Sequence, residues 1–331
     1  MVRKDLLCAR KIELIHQFQK GTVVADITKC TQNTGFLVAL LDRPDIWWVD
    51  GISGSSGEPQ FLAGIKGVTS SFGITPIGRP LINSNSYAVV AGNVSGSTMS
   101  PVPGSFAVYR LMLKEYPGWL PGVRMDRIAD IPDAGLLKGI TTVPGIPSSD
   151  LTVLIADSMN GTVYYVNLES GYQEVVIAGE ETMAPLFWEG EPLEGVNSLY
   201  YESSTHMLYY TNSIKGLFAR IPLDWATYHP VGEAEIIADA IGDDIVLDQQ
   251  RLKAYLPGGS SNQMYEIGLQ DGSVRVIAGG LEDPTVAGAT CAFLDRDNDS
   301  LIIGTVGTQL ATIANVRPEG GKIMRLDISD E

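Results

Sequence analysis

The sequence predicts an all-β chain folded as a six-bladed β-propeller with four-stranded blades. Three observations carry this. Helical periodicity is nearly absent along the 331 residues. Short β-rich segments are punctuated throughout by Gly, Pro, Asn and Asp. One motif, a turn and a small or polar residue followed by a strand, recurs six times: "ADITKC" (25–30), "FGITPI" (72–77), "KGITTV" (138–143), "VNSLYY" (196–201), "DDIVLD" (243–248) and "GATCAF" (288–293). Counted from Ile27, Ile74, Ile140, Leu199, Ile245 and Cys291, the steps are 47, 66, 59, 46 and 46 residues.

Each repeat continues alike. Second strands read "FLVALL", "YAVVAGN", "TVLIADS", "LYYTNS", "KAYLPGG" and "LIIGTVG"; third strands include "IWWVD", "VYYVNL" and "KIMRLDI"; fourth strands include "RIADIPD", "EVVIAGE" and "VRVIAGG". Four strands per step, repeated around a ring, make a propeller. The two long steps mark insertions near 93–125 and 179–195. The last repeat stops at its third strand, "GKIMRLDI", while "KIELIHQF" (11–18) reads as a fourth strand ahead of the first repeat. The N-terminal strand is therefore expected to close the ring, which hides edges that would otherwise invite aggregation. Residues 1–331 read as one propeller domain.

Hydrophobic residues make up 44% of the chain, enough for a large core, and no apolar run reaches the ~18–20 residues of a membrane helix. The net charge of −16 argues against nucleic acid and anionic membrane, which need a basic face. Cys8, Cys30 and Cys291 allow at most one disulfide and no zinc knuckle. Sequons at Asn93, Asn160 and Asn298 would suit a secreted chain, yet "MVRKDLLCARKIELIHQF" has no apolar core of signal-peptide length. Both a cytoplasmic chain and one that has lost its leader fit. A dimer is compatible with the pattern but not demanded by it.

Several chemistries are disfavoured. His16 lies on the closing strand, His206 in a hairpin turn and His229 in a Pro-flanked loop, so no histidine cluster forms, and no G-x-S-x-G or Ser-His-Asp pattern occurs. "GISGSSG" (51–57) precedes no helix and reads as a flexible loop rather than a phosphate cradle. "DRDNDSL" (295–301) has alternating acids but lacks the calcium-loop glycine and glutamate, with Ser300 and Val306 in their places. A hairpin turn explains it. At least one of Trp47 and Trp48 is expected to pack between blades.

In a propeller the first residues of the inner strands face the mouth of the central channel, where convergent polar groups define the default binding site. Those positions hold Ala25-Asp26, Ser71-Phe72, Lys138, Asn197, Asp243-Asp244 and Ala289-Thr290. An apolar collar is expected from Phe72, Met159, Phe187, Trp188 and Trp47. Adjacent strand residues point to opposite sides, so the order of Asp243 and Asp244 leaves open which of them faces the channel.

Through "VLIADSMNGTVYYVNLESG", "GVNSLYY…LYYTNS" and "AIGDDIVLD", nearly the whole chain resembles the SMP-30/gluconolactonase-like propellers. The chain also resembles a fungal branch of that group, through "VVAGNVS…PVPGSFAVYRL", "IADIPDAGLLKGITTV" and "VAGATCAF". Lactonases of that superfamily hold a divalent cation with a glutamate on the first inner strand, asparagines on the third and fourth, and an aspartate on the fifth. Position by position, Asn197 and Asp243 or Asp244 remain, while the glutamate falls at Ala25 and the other asparagine at Lys138. An ammonium cannot ligate a metal, so the resemblance implies no metal and no cofactor, with Lys138 as a surrogate cation paired with Asp243 or Asp244.

Within the branch the chain resembles the hetero-Diels–Alderases of tropolone–sesquiterpene biosynthesis, which join a tropolone-derived quinone methide to a humulene-type alkene. That resemblance implies small-molecule partners, an apolar polyene and a tropolone. Lys138 would act on the tropolone oxygens, as hydrogen-bond donor or as a general acid with a pKa lowered by burial, and Asp243 or Asp244 would orient it. Asp26, Phe72, Met159, Trp188, Asn197 and Thr290 would contact substrate. Two alternatives stay open: a metal-dependent lactonase, and a non-catalytic propeller that binds apolar metabolites.

Overall fold

The computed structural model describes residues 10–30, 35–51, 58–78, 85–95, 100–114, 122–145, 151–295, 297, 299–308 and 317–329. Cys8, most of "GISGSSG", and Arg296 and Asn298 of "DRDNDSL" lie outside the described residues. Every regular element among the described residues is a strand, and the strands form six four-stranded antiparallel sheets and two small two-stranded ones.

The six sheets are the blades of a propeller ring. Their inner strands are Val24–Lys29, Ser70–Ile77, Leu137–Pro144, Val196–Glu202, Val246–Asp248 and Ala289–Leu294. In blades 1 to 5 the other strands follow in chain order outward. Blade 6 is completed by Ile12–Gln17, which pairs with Lys322–Asp327 from Ile12↔Leu326 to Gln17↔Lys322. The N-terminal strand thus closes the ring as expected. The insertions are also where the long steps put them: a two-stranded flap, Val94–Ser95 with Ser100–Pro101, inside blade 2, and a hairpin, Phe187–Trp188 with Glu191–Pro192, between blades 3 and 4.

Each blade packs face to face against both neighbours. Second strands are therefore buried on both faces and read as unbroken apolar runs, as in Phe36–Leu40. Leu37, Ile46, Tyr87 and Val89 join blades 1 and 2, Val90, Val108, Val153 and Ile155 join blades 2 and 3, and Val38, Leu40, Ile302 and Ile323 seal blade 6 to blade 1. Each such aliphatic side chain contributes about 1.5–3 kcal/mol on burial. Outer strands such as Glu235–Asp239 face water and carry the charges. The tryptophan pair splits by strand alternation: Trp48 packs on the core between blades 1 and 2, and Trp47 meets Phe18 and Phe61 at the seam with the closing strand. Cys30 and Cys291 are buried free thiols.

Candidate functional site

Five of the six inner strands break register near their starts: between Val24 and Asp26, Ser71 and Ile74, Leu137 and Ile140, Val196 and Leu199, and Ala289 and Cys291. A bulge bends its strand and re-aims side chains. The residues at these breaks converge on one cavity of about 180 Å³ at the channel, lined by Ala25, Phe72, Lys138, Asn197 and Thr290 among others. In blade 5 regular pairing begins only at Val246, so Asp243 and Asp244 precede the strand and escape its alternation. Both line the cavity. Close approach of the strands depends on glycine: a Cβ on Gly139 would lie 2.6 Å from Asn197 O and Ser198 Cα.

Lys138 is the cation of this site. Its Nζ donates to Glu194 Oε2 at 2.5 Å, so its direct partner is Glu194, not Asp243 or Asp244 as the sequence alone implied. Glu194 lies at the end of the insertion between blades 3 and 4, a segment with no counterpart in the repeat. Burial pulls the Lys138 pKa down, but the carboxylates of Glu194 and Asp243 outweigh it and the net shift is upward. The expectation of a lysine acidified by burial is thereby corrected: two anions flank the ammonium and hold its proton.

Asp243 is buried beside it. Its Oδ1 accepts from Asn197 Nδ2 at 2.9 Å; Ser213 Oγ, which accepts from Asn197 Nδ2 at 2.8 Å, has one proton to share between Gly242 O at 2.7 Å and Asp243 Oδ1 at 3.0 Å. Burial raises the Asp243 pKa, with Lys138 pulling the other way. Asp244 works differently: Oδ1 accepts from Ser198 Oγ and Ile245 N, each at 2.7 Å, and Oδ2 from Ala292 N at 3.0 Å. Asp26 repeats that arrangement in blade 1, with Oδ1 on Ile27 N and Oδ2 on Ile74 N, both at 2.7 Å. Each of these two acids fastens its own blade to the next. Burial raises both pKa values, and the Asp244 charge adds to the rise at Asp26.

The rest of the wall is apolar, with Val24, Leu41, Phe72 and Val306. Phe72 is held by Phe106, ring centroids 5.5 Å apart, and Thr290 Oγ1 donates to Val24 O at 3.2 Å. Lys138, Asp243, Asp244, Asp26, Phe72, Asn197 and Thr290 are therefore brought together. Met159 and Trp188 are not among the cavity-lining residues. Met159, in the turn after the second strand of blade 3, packs on the core shared by blades 2 and 3. Trp188 is 68% exposed at a two-residue turn whose Glu189 and Gly190 have φ of 51° and 89°; such a turn makes a tight hairpin that projects from the surface. Phe187 shares its exposure. Glu194, Ser198 and Ser213 are the site residues the sequence did not disclose.

No family model matches the chain, and no curated protein matches it. Solved structures do. A luciferin-regenerating enzyme superposes with a TM-score of 0.62 at 14% identity, over 96% of this chain and 95% of that one. Regucalcin from Agrobacterium tumefaciens str. C58, described as a calcium-binding protein, gives 0.59 at 12%, over 98% and 97%. The PQQ-bound aldose sugar dehydrogenase from Streptomyces coelicolor gives 0.59 at 12%, over 96% and 98%. At these identities the likeness is one of fold alone, that of a β-propeller.

The donor set at the channel does not fit a calcium ion, which takes six to eight oxygens. Ala25 offers no side-chain oxygen, Lys138 only donates, and both oxygens of Asp26 and of Asp244 are engaged by N–H or O–H donors. Among the described residues no group of three or more His, Cys, Asp and Glu is placed to hold a metal ion.

Proposed function

We propose that the chain is an enzyme acting on largely apolar, oxygen-bearing small molecules at the channel mouth, with Lys138 as its fixed positive charge. One observation carries the reading: a proton-retaining ammonium, flanked by Glu194 and Asp243, stands on a bulge in a cavity with a polar side of Asp26, Asp244, Asn197, Ser198 and Thr290 and an apolar side of Val24, Leu41, Phe72 and Val306. An ammonium so placed donates hydrogen bonds to a carbonyl or enolate oxygen and withdraws electrons from a conjugated system attached to it, while the apolar wall aligns a hydrocarbon partner.

In its specific form the reaction is the hetero-Diels–Alder addition of a tropolone-derived quinone methide to a humulene-type sesquiterpene. It needs no nucleophile, in keeping with three histidines that stand apart, and positioning two partners can supply several of the ~7–11 kcal/mol available from that source. Lys138 serves here as an electrophilic hydrogen-bond donor, and Asn197 and Asp243 hold the polar end of the site. The second reading, cation-dependent hydrolysis, is the weaker one, since both oxygens of Asp26 and of Asp244 already accept from N–H or O–H donors.

The test incubates the purified chain with a quinone-methide precursor and humulene, with and without EDTA. One stereoisomer formed faster than in buffer, at a rate indifferent to EDTA and reduced at least ~100-fold in Lys138→Met, is the expected result. Unchanged turnover in Lys138→Met overturns the assignment. Lactone hydrolysis abolished by EDTA establishes the second reading.

A further inference from the structure

A second cavity, of about 290 Å³, shares no residue with the channel. It lies at the seam where the closing strand meets blade 1, with His16 and Phe18 on one side, Trp47 on the other, and Arg43 and Glu58 among the remaining lining. The rings do not stack. His16 and Phe18 meet edge to face at 4.7 Å and 81°, and Phe18 and Trp47 at 6.5 Å and 80°. The rings meet edge to face along the wall of the cavity.

Two side chains of this lining carry charge, Arg43 and Glu58. The Arg43 guanidinium is already closed on Asp42, Nε to Oδ2 at 2.9 Å, and donates to Thr22 Oγ1 at 2.6 Å. Glu58 pairs with no lysine or arginine among the described residues. Burial lowers the His16 pKa despite the nearby Glu58 carboxylate, so at neutral pH the imidazole is no countercharge. The Glu58 carboxylate thus opens to solvent at the rim of this cavity, with no ammonium or guanidinium of the described residues paired to it.

We infer that the seam cavity binds a small organic ammonium ion, with its cationic head among Trp47, Phe18 and His16 and its charge answered by Glu58. A cation over an aromatic face is attracted by the ring quadrupole, most strongly where water is excluded. A carboxylate at the same spot selects cations over neutral aromatics of the same shape. The −16 net charge raises the local concentration of any cation around the molecule. The volume accommodates an alkyl- or arylalkylammonium and excludes a folded partner. The inference is independent of the chemistry proposed for the channel.

Isothermal titration of the full chain with choline, and separately with phenethylammonium, tests it. Saturable binding is expected, weakened at least ~10-fold by Glu58→Gln and lost in Trp47→Leu. Glu58 is exposed, so its variant keeps the fold even if Trp47→Leu, checked by circular dichroism, does not. Lys138→Met should leave the affinity unchanged. Absence of saturation, affinity indifferent to Glu58→Gln, or affinity lost in Lys138→Met (which would place the ligand in the channel) each overturns the inference.

Discussion

Lys138 retains its proton because two anions outweigh the desolvation of its ammonium, and the two differ in kind. Asp243 is buried and anchored by Asn197 and Ser213, whereas Glu194 reaches in from an insertion and its side chain is 37% exposed. The balance at Lys138 therefore hinges on Glu194. In Glu194→Gln the amide oxygen still accepts from Nζ, but its charge is gone, burial gains the upper hand, and the Lys138 pKa should fall. A neutral amine acylates and an ammonium does not, so competitive labelling with acetic anhydride near pH 8 should find Lys138 nearly inert in the parent chain. In the variant its labelling should rise roughly tenfold for each unit by which the pKa drops. Equal labelling in the two proteins would mean that Asp243 alone holds the proton.

At the scale of elements, the site is made by irregularity inside a regular repeat. Bulges turn inner-strand residues toward the axis, and glycines let those strands approach. Gly139→Ala should cost ~1–3 kcal/mol, read as a lowered urea midpoint, because its Cβ would meet the backbone of Asn197 and Ser198 and neither can yield. Displacement of Lys138 should follow, with weaker binding in the channel. The same contrast explains what the sequence disclosed. Strand periodicity, turn residues and a six-fold motif are local signals, so the blades, both insertions and the closing strand were legible. Lys138 stood out because an ammonium heads an apolar strand. Glu194 did not, because an insertion has no repeat against which an unusual residue can be recognised. Asp243 and Asp244 could not be ordered by alternation because they precede the regular strand. Met159 and Trp188 looked like a collar only while the exit angles of their turns were unknown.

For the whole molecule, the acids at the axis tie the ring to pH. Asp26, Asp243 and Asp244 all have pKa values raised by burial. From the unfolded carboxylate value near ~4 upward, the folded chain holds protons that the unfolded chain has released. Folding stability must therefore fall as pH rises through that window. The −16 net charge acts in the same direction, since acidification relieves repulsion across the surface. Salt separates the two contributions: it screens charges on the surface, with a Debye length of about 3 Å at 1 M, but reaches the buried axis poorly. The melting temperature should be higher near pH 5 than near pH 8, and part of that difference should survive ~1 M salt. Asp26→Asn should flatten the remainder. It should also lower stability by ~1–3 kcal/mol, because the Asn NH2 would face one of the two N–H groups, of Ile27 and Ile74, from which the Asp26 oxygens accept. A pH dependence abolished by salt would assign the whole effect to the surface and leave Asp26 and Asp244 as ordinary ionised staples between blades.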